Sequence, residues 1–544
     1  MKKKSVLIAA IIFVITVAVI AIVNANGGEF AGTAWALVPP MVAIVLALIT
    51  KEAYSSLFIG VVLGAIMVAK CNFMGTLDTI TVDALTAAVA DNSGILIFLV
   101  LLGIVVALVN KSGASRAFGI WAQKHIKTKT GAMLATFALG VLIFIDDYFN
   151  CLTVGSVMAP VTDAKKISRV KLAYLIDATA APVCMIAPVS SWAAAVSGCV
   201  ESETYSGIDL FIRAIPYNFY SILTLFFILT LAFLGYDYGK MSEFEIKAET
   251  TGDLSELDVS LADEKQEKTE RIVKEDGPVN PPKGKLFDLI IPIVILIAFC
   301  IWGLIKNGYD ALGGEGTIQD AFSSTDAYVG LPWGSILALV LIVIYLVARK
   351  VVSFEDAMEC VPKGFVAMVP AITILTLATG LKNMTNSLGA SDFVHDMMEN
   401  ASGLTWILPA LVFVVACIIA FATGTSWGTF GILIPIVSAI FPETSPLFFV
   451  GISACLAGAV CGDHCSPISD TTIMSSAGAH CNHIDHVSTQ LPYAISVAAI
   501  SFVCYIVAGL LSYVNLTWIS IPFGIIVTIA FLFVMKKIVS KRAA

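Results

Sequence analysis

The chain alternates long apolar runs with short polar words, and the run lengths set the fold class. Ser5 to Val23 and Trp35 to Ile49 are uncharged and of bilayer-spanning length. Two distant stretches carry the same polar interruption inside oily sequence: Ile186-Ala-Pro188-Val-Ser190-Ser191 and Cys465-Ser-Pro467-Ile-Ser469-Asp470. Helices broken by Pro near mid-membrane expose backbone amides, carbonyls and hydroxyls, which is where a bilayer-spanning carrier holds an ion or solute. Two further apolar stretches, 131–161 and 404–441, are centred on Phe144-Ile-Asp146-Asp147-Tyr148-Phe149-Asn150 and on Ala422-Thr423-Gly424-Thr425-Ser426-Trp427-Gly428.

Basic residues number the crossings, because Lys and Arg collect on the cytoplasmic side. Lys111, Arg116, Lys124, Lys127 and Lys129 precede the first long stretch, and Lys165, Lys166, Arg169 and Lys171 follow it. Both flanks read as cytoplasmic, and about 31 residues are too few for two full spans of roughly 20 each. The stretch therefore reads as a re-entrant hairpin, and 404–441 as a second one entering from outside. The predicted fold is an all-α integral membrane protein with about 12 transmembrane helices, two re-entrant hairpins and two broken helices in an inverted repeat. Its parts are a first helix and outer linker (1–32), repeat 1 (33–236, broken helix 172–200), a charged cytoplasmic linker (237–285), repeat 2 (286–513, broken helix 446–478) and a last helix with a basic tail (514–544). Both termini fall on the cytoplasmic side of the cell membrane.

The repeat is visible as register. Asn110-Lys-Ser-Gly113-Ala114-Ser115 echoes Asn386-Ser-Leu-Gly389-Ala390-Ser391, and 389 minus 113 gives an offset of 276. Ile215-Pro216-Tyr217 echoes Leu491-Pro492-Tyr493 at the same offset, with Pro160 and Pro435 one residue short of it and Pro188 and Pro467 three beyond. By the charge-derived topology the two copies run in opposite senses through the bilayer.

Composition agrees with the patterning: 58% of residues are hydrophobic, 13% are charged, and the mean hydropathy is +0.90. The formal charge of −8 carries little information about partners, because 13 acidic and 8 basic residues between 237 and 285 account for −5 of it. Met1-Lys-Lys-Lys-Ser5 and its apolar run resemble a signal peptide, but the run is long and Asn24-Ala-Asn is a poor cleavage site, so an uncleaved helix is expected. The twelve Cys are scattered through apolar segments and read as packing residues. Cys461, His464, Cys465, His480, Cys481, His483 and His486 suit Zn2+ by ligand type, yet their spacing matches no structural zinc motif. No structural metal is expected, and the last three His fall in a turn that reads as solvated.

Gly462-Asp463-His464-Cys465-Ser466-Pro467-Ile468-Ser469-Asp470-Thr471-Thr472 resembles the signature of the NhaC family of sodium/proton antiporters. With Thr425-Ser426-Trp427-Gly428-Thr429, the resemblance extends over roughly residues 35 to 535. It implies an ion-transporter-superfamily plan of inverted repeats, hairpins and broken helices, a homodimer, and an elevator motion, with Na+ and H+ as cargo and no cofactor. Relatives of that family also include carriers of organic solutes, so a Na+- or H+-coupled carrier of an amino acid or carboxylate is the alternative.

An Asp in a bilayer segment costs a few kcal/mol to insert and is by default a candidate for ion or proton handling. Asp146, Asp147, Asp177, Asp463 and Asp470 qualify; the competing reading of Asp463 and Asp470 is helix capping. Burial and a neighbouring Na+ act oppositely on a carboxyl proton, so one Asp can exchange H+ for Na+. A basic partner such as Arg169 or Lys171 is an alternative fate for the Asp146–Asp147 pair. Uncharged oxygens for the cation or a solute come from Asn150, Thr179, Ser190, Ser191, Thr423, Thr425, Ser426, Ser466, Ser469, Thr471 and Thr472. Any single hydroxyl is more simply a satisfied intrahelical donor, and the cluster is what counts. No Gly-rich phosphate loop and no nucleophile–base pair is present, so neither ATP-driven pumping nor enzymatic chemistry is expected. Lipid and a small ion or solute are the expected partners, and nucleic acid is not.

Overall fold

The computed structural model describes residues 2–50, 53–200, 202, 204–255, 284–318, 321, 324–390, 393, 405–467 and 469–543, which form helices joined by short turns. Among them, nine helices are long and apolar enough to cross a membrane, or eleven when each of two bent pairs is taken as one span. The sequence reading of about twelve exceeds this because several apolar runs are split: residues 172–200, read as one crossing, divide into Arg169–Cys184 and Ser191–Cys199. Most of the linker, residues 256–283, lies outside the described residues.

The four interrupted segments form the centre. The first hairpin consists of Lys129–Leu142 and Asp147–Asp163, and the second of Leu408–Thr423 and Ser426–Ile440. The first broken helix is Arg169–Cys184 and Ser191–Cys199; the second is Phe448–Cys465 and Asp470–Ala479. Local chemistry sets the breaks: Ser190, Thr425 and Ser469 each turn a side-chain oxygen onto the new helix and cap its free N–H groups, at Ala193, Gly428 and Thr472. Pro160 and Pro435 both fall within the second half of a hairpin, matching their register in the sequence.

The broken helices run antiparallel. Arg169, at the start of the first, donates from Nη1 to the carbonyl of Ala479, the end of the second, at 3.0 Å. At the opposite edge, Tyr205, which follows the first, packs on Phe448 and Phe449, which begin the second. The two outer ends of the first hairpin meet one edge as well: Lys129 and Ser168 both bind Glu245 of helix Lys240–Thr251, at 2.6 Å and 2.6 Å. Glu245 of that helix is buried and ties three segments together, within the stretch read from the sequence as a charged linker. Met241 and Ala248 are buried on the same face, whereas Glu243, Ile246, Lys247 and Glu249 are exposed, and a composition count does not separate the two faces.

Hairpin and broken helix pack closely where glycines allow it. A Cβ on Gly155 would sit 2.4 Å from the backbone carbonyl carbon of Gly478. The rest is scaffold, in which buried Asp288 of Phe287–Ala311 is held by Arg349 at 2.8 Å and Tyr345 at 2.7 Å.

Candidate ion-binding site

Four helix starts converge, and each touches the next. The amide of Ser191 donates to the carbonyl of Ile145 at 3.0 Å, joining the first broken helix to the tip of the first hairpin. Trp192 meets Trp427 edge-on with ring centroids 5.8 Å apart, joining it to the second hairpin. Ser426 of that hairpin and Thr471 of the second broken helix both donate to Asp463 Oδ2, at 3.1 and 3.2 Å. Cys151 Sγ lies 3.9 Å from the carbonyl of Thr471, which returns the ring to the first hairpin. Four neighbouring helix N-termini present positive dipole ends, an environment that favours negative charge between them.

That charge is supplied by Asp146, Asp147 and Asp463, all buried. Asp147 is close enough to Asp146 and Asp463 to feel both charges. The Trp192 indole N–H faces this carboxylate but does not close a well-formed hydrogen bond to it, and the hydroxyl of Ser191 and the indole N–H of Trp427 likewise close none among the described residues. Buried polar atoms without partners are rare and mark a place where an ion, proton or solute group completes the set. Ser469 and Thr471 lie 3.0 Å apart oxygen to oxygen beside Asp463, so carboxylate and hydroxyl oxygens of the hard kind a Na+ ion takes are assembled from three segments.

Other candidates do local work. Asn150 Nδ2 donates to the carbonyls of Gly140, Ile143 and Thr179, at 2.7, 3.0 and 3.2 Å, and so ties the hairpin tip to the first broken helix. Thr179 and Thr423 donate to carbonyls four residues back, at 2.7 and 2.9 Å. Ser190 donates to Cys184 O, Ser466 to Phe421 O, and Thr472 to Ser466 O, bonds that fix the breaks rather than face the centre. Thr425 caps the second hairpin's inner helix. Asp470 is the first residue of its helix, with Ser469 as the cap, and its side chain lies outside the described residues.

Among the described residues, the ion pairs of Arg169 and Lys171 are made with acids away from the hairpin tip. Arg169 holds Asp163 at 2.7 Å, and Lys171 holds Asp237 at 2.5 Å, both near the cytoplasm-assigned edge, because each side chain starts a turn or more away from the tip. His483 and His486 are buried, which corrects the solvated-turn reading: Asn482 caps the long helix His483–Leu511, and its first turns pack against the second broken helix. No group that would hold a metal ion by His, Cys, Asp and Glu occurs among the described residues.

Asp177 belongs to a separate buried cluster. It accepts from Gln490 Nε2 at 2.6 Å and Ser475 Oγ at 3.3 Å, with His486 Nε2 at 3.5 Å and His464 Nε2 at 4.0 Å. The histidines, Gln490 and the two tryptophans were absent from the ion-site candidates read in the sequence. For the tryptophans a signal was present: the word Ser-Trp recurs at Ser191-Trp192 and Ser426-Trp427, each at a helix start.

A model of the Na+/H+ antiporter family matches residues 183–510, which include the second hairpin and the whole second broken helix. The chain belongs to that family. Over 497 residues it is 35% identical to an uncharacterized protein of Haemophilus influenzae, covering 88% of this chain and 92% of that protein. It is 33% identical over 241 residues to the arginine/ornithine antiporter ArcD of Halobacterium salinarum, covering 43% and 44% of the two chains. An uncharacterized Na+/H+ antiporter of Haemophilus influenzae is 28% identical over 170 residues, covering 30% of this chain and 35% of that one. The resemblance carried by Gly462 to Thr472 is thereby borne out. This antiporter-family protein is a multi-pass membrane transporter of the secondary type and not an enzyme.

Proposed function

We propose that the protein exchanges Na+ for H+ across the cell membrane by alternating access, with the cation held at the ring of helix starts. The observation that carries this is Asp463, whose Oδ2 takes hydroxyl donors from both the second hairpin and the second broken helix. A cation bound there, with Asp147 beside it, brings together segments that belong to both copies of the repeat. Na+ replaces the two hydroxyl protons as the partner of the carboxylate, and Ser426 and Thr471 turn lone pairs to it. The cation is the substrate, and no cofactor enters the cycle.

In this reading the hairpins are re-entrant, both termini are cytoplasmic, and the protein works as a homodimer in which the core moves as an elevator. The shared attachment of Lys129 and Ser168 to Glu245 supports the first point. Proteoliposomes containing purified protein test the reading: an imposed Na+ gradient should generate a pH gradient in the absence of any organic solute, and failure to do so overturns it. A second reading is favoured by the indole N–H groups of Trp192 and Trp427, buried donors that an organic anion would satisfy, and by the likeness to an arginine/ornithine antiporter. Uptake that requires an amino acid or carboxylate in the same vesicles would select it.

A further inference from the structure

Asp177 lies midway between the start and the break of the first broken helix, on the Arg169 side of the ring, and it is completely buried. A carboxylate there needs compensation, since an uncompensated buried charge costs several kcal/mol. The second half of the chain supplies it from three helices: Gln490 and His486 from His483–Leu511, His464 from Phe448–Cys465, and Ser475 from Asp470–Ala479. From the first half, Cys151 of the first hairpin reaches Ser475 at 3.2 Å, and Tyr220 reaches His464 Nδ1 at 3.2 Å. Cys465 is the other titratable side chain whose charge would bear on Asp177.

The two histidines are not equivalent. His464 is held by the Tyr220 hydroxyl at one ring nitrogen and by Gln490 at its carbonyl, at 2.8 Å. His486 closes a hydrogen bond at neither ring nitrogen among the described residues, yet sits 3.5 Å from Asp177 with no exposed surface. Imidazole can hold or release a proton at either ring nitrogen. Facing a carboxylate, it makes a unit whose total charge is zero with one shared proton and minus one without.

We propose that Asp177 and His486 form a proton site separate from the ring, and that the proton exchanged for Na+ is held there and not on Asp463. This rests on the exchange reading. Gln490 connects the two places, because its Nε2 donates both to Asp177 and to the carbonyl of His464, the residue after Asp463. A cation at Asp463 and a proton on the Asp177–His486 unit share one buried, low-dielectric segment, so loading both is disfavoured and one leaves as the other enters. Beyond Asp177, the Lys171–Asp237 pair and the Tyr493 hydroxyl on Asp237 at 2.7 Å stand between the site and the edge.

Full-length protein in proteoliposomes separates this from the exchange reading through two fluxes, radiolabelled Na+/Na+ exchange and Na+-driven proton movement. In Asp177→Asn and in His486→Gln, the ratio of proton movement to Na+/Na+ exchange should fall at least about tenfold, whereas Asp463→Asn should lose both together. Ser475→Ala, which removes hydrogen bonds to Asp177 and Cys151 but no charge, should displace the pH profile of exchange. An unchanged ratio in His486→Gln, or an unchanged profile in Ser475→Ala, overturns the proton site while leaving Na+ binding at Asp463 intact. If wild-type protein moves no protons in response to Na+, the exchange reading falls, and an infrared pH-difference spectrum decides the site on its own. The carboxyl and imidazole bands lost from that spectrum in Asp177→Asn should be the same ones lost in His486→Gln, since the two groups share one proton. Difference spectra identical to wild type in both variants overturn the proposal.

Discussion

Arg169 binds the carbonyl of Ala479 with one guanidinium nitrogen and Asp163 with another, at 3.0 and 2.7 Å, so a single side chain clasps the ends of three interrupted segments away from their breaks. The planar fork suits this task, since it presents donors in fixed directions to two acceptors. Arg169→Ala should lower the unfolding free energy by roughly 1.5–3 kcal/mol, the range for hydrogen bonds to charged groups, and Arg169→Lys should recover only part of it. Thermal unfolding of the detergent-purified protein reads the change. A midpoint indistinguishable from wild type in Arg169→Ala would show that the clasp adds nothing.

The contact between Gly155 and Gly478 fixes how the first hairpin sits on the second broken helix. An alanine at 155 meets backbone rather than a side chain that can swing away, so one of the two helices must move. Overpacking of this kind costs about 1–3 kcal/mol, and the shift would also separate Cys151 from Thr471 in the ring. Gly155→Ala should therefore lower both the unfolding midpoint and Na+ flux. Retention of full flux in a correctly folded Gly155→Ala variant would mean that the ring tolerates displacement of one of its members.

The architecture was legible because its signals are local. Pro188 and Pro467 sit where helices cannot continue, Ser190 and Ser469 cap the helices that begin after those breaks, and Asp147 and Asp463 are charges in oily segments. The Asp177 cluster was not legible beyond Asp177 itself. His464, His486 and Gln490 lie hundreds of residues from Asp177, and only the antiparallel packing of the broken helices with His483–Leu511 brings them to it. The stretch from His480 to His486 is as polar as a surface turn, and burial there is decided by neighbours in space. Glu245 was missed for the same reason: it shares its inward face with Met241 and Ala248, and an acid on such a face reads as solvated until its neighbours in space are known.

Lys129 and Ser168 both reach Glu245, so residues just outside the two ends of the first hairpin should be accessible from one side of the membrane. Lys127 and Lys166 are exposed there, and Asn515 is exposed at a linker that the charge pattern assigns to the other side. Single cysteines at 127 and 166 should react with a membrane-impermeant maleimide only in inverted vesicles, and one at 515 only in intact cells. Opposite accessibility of 127 and 166 would make the hairpin a full crossing and dissolve the ring of helix starts.

Asp463 takes its two hydroxyl donors from different segments, so the two hydroxyls should act independently and more weakly than the carboxylate. Loss of one oxygen from a cation's shell is comparable to loss of one charge-assisted hydrogen bond. At roughly 1.5 kcal/mol, Ser426→Ala or Thr471→Ala should raise the half-saturating Na+ concentration about tenfold. The maximal rate should change less than the half-saturating concentration, because each hydroxyl serves binding in the ground state. Asp463→Asn keeps the volume and the hydrogen-bonding edge but removes the charge, so Na+ flux should vanish while expression and monodispersity persist. Radiolabelled Na+ uptake across a concentration series distinguishes these cases. If Asp463→Asn transports like wild type while Ser426→Ala and Thr471→Ala are impaired, the hydroxyls act on something other than Asp463, and Asp147 becomes the carboxylate that holds the ion.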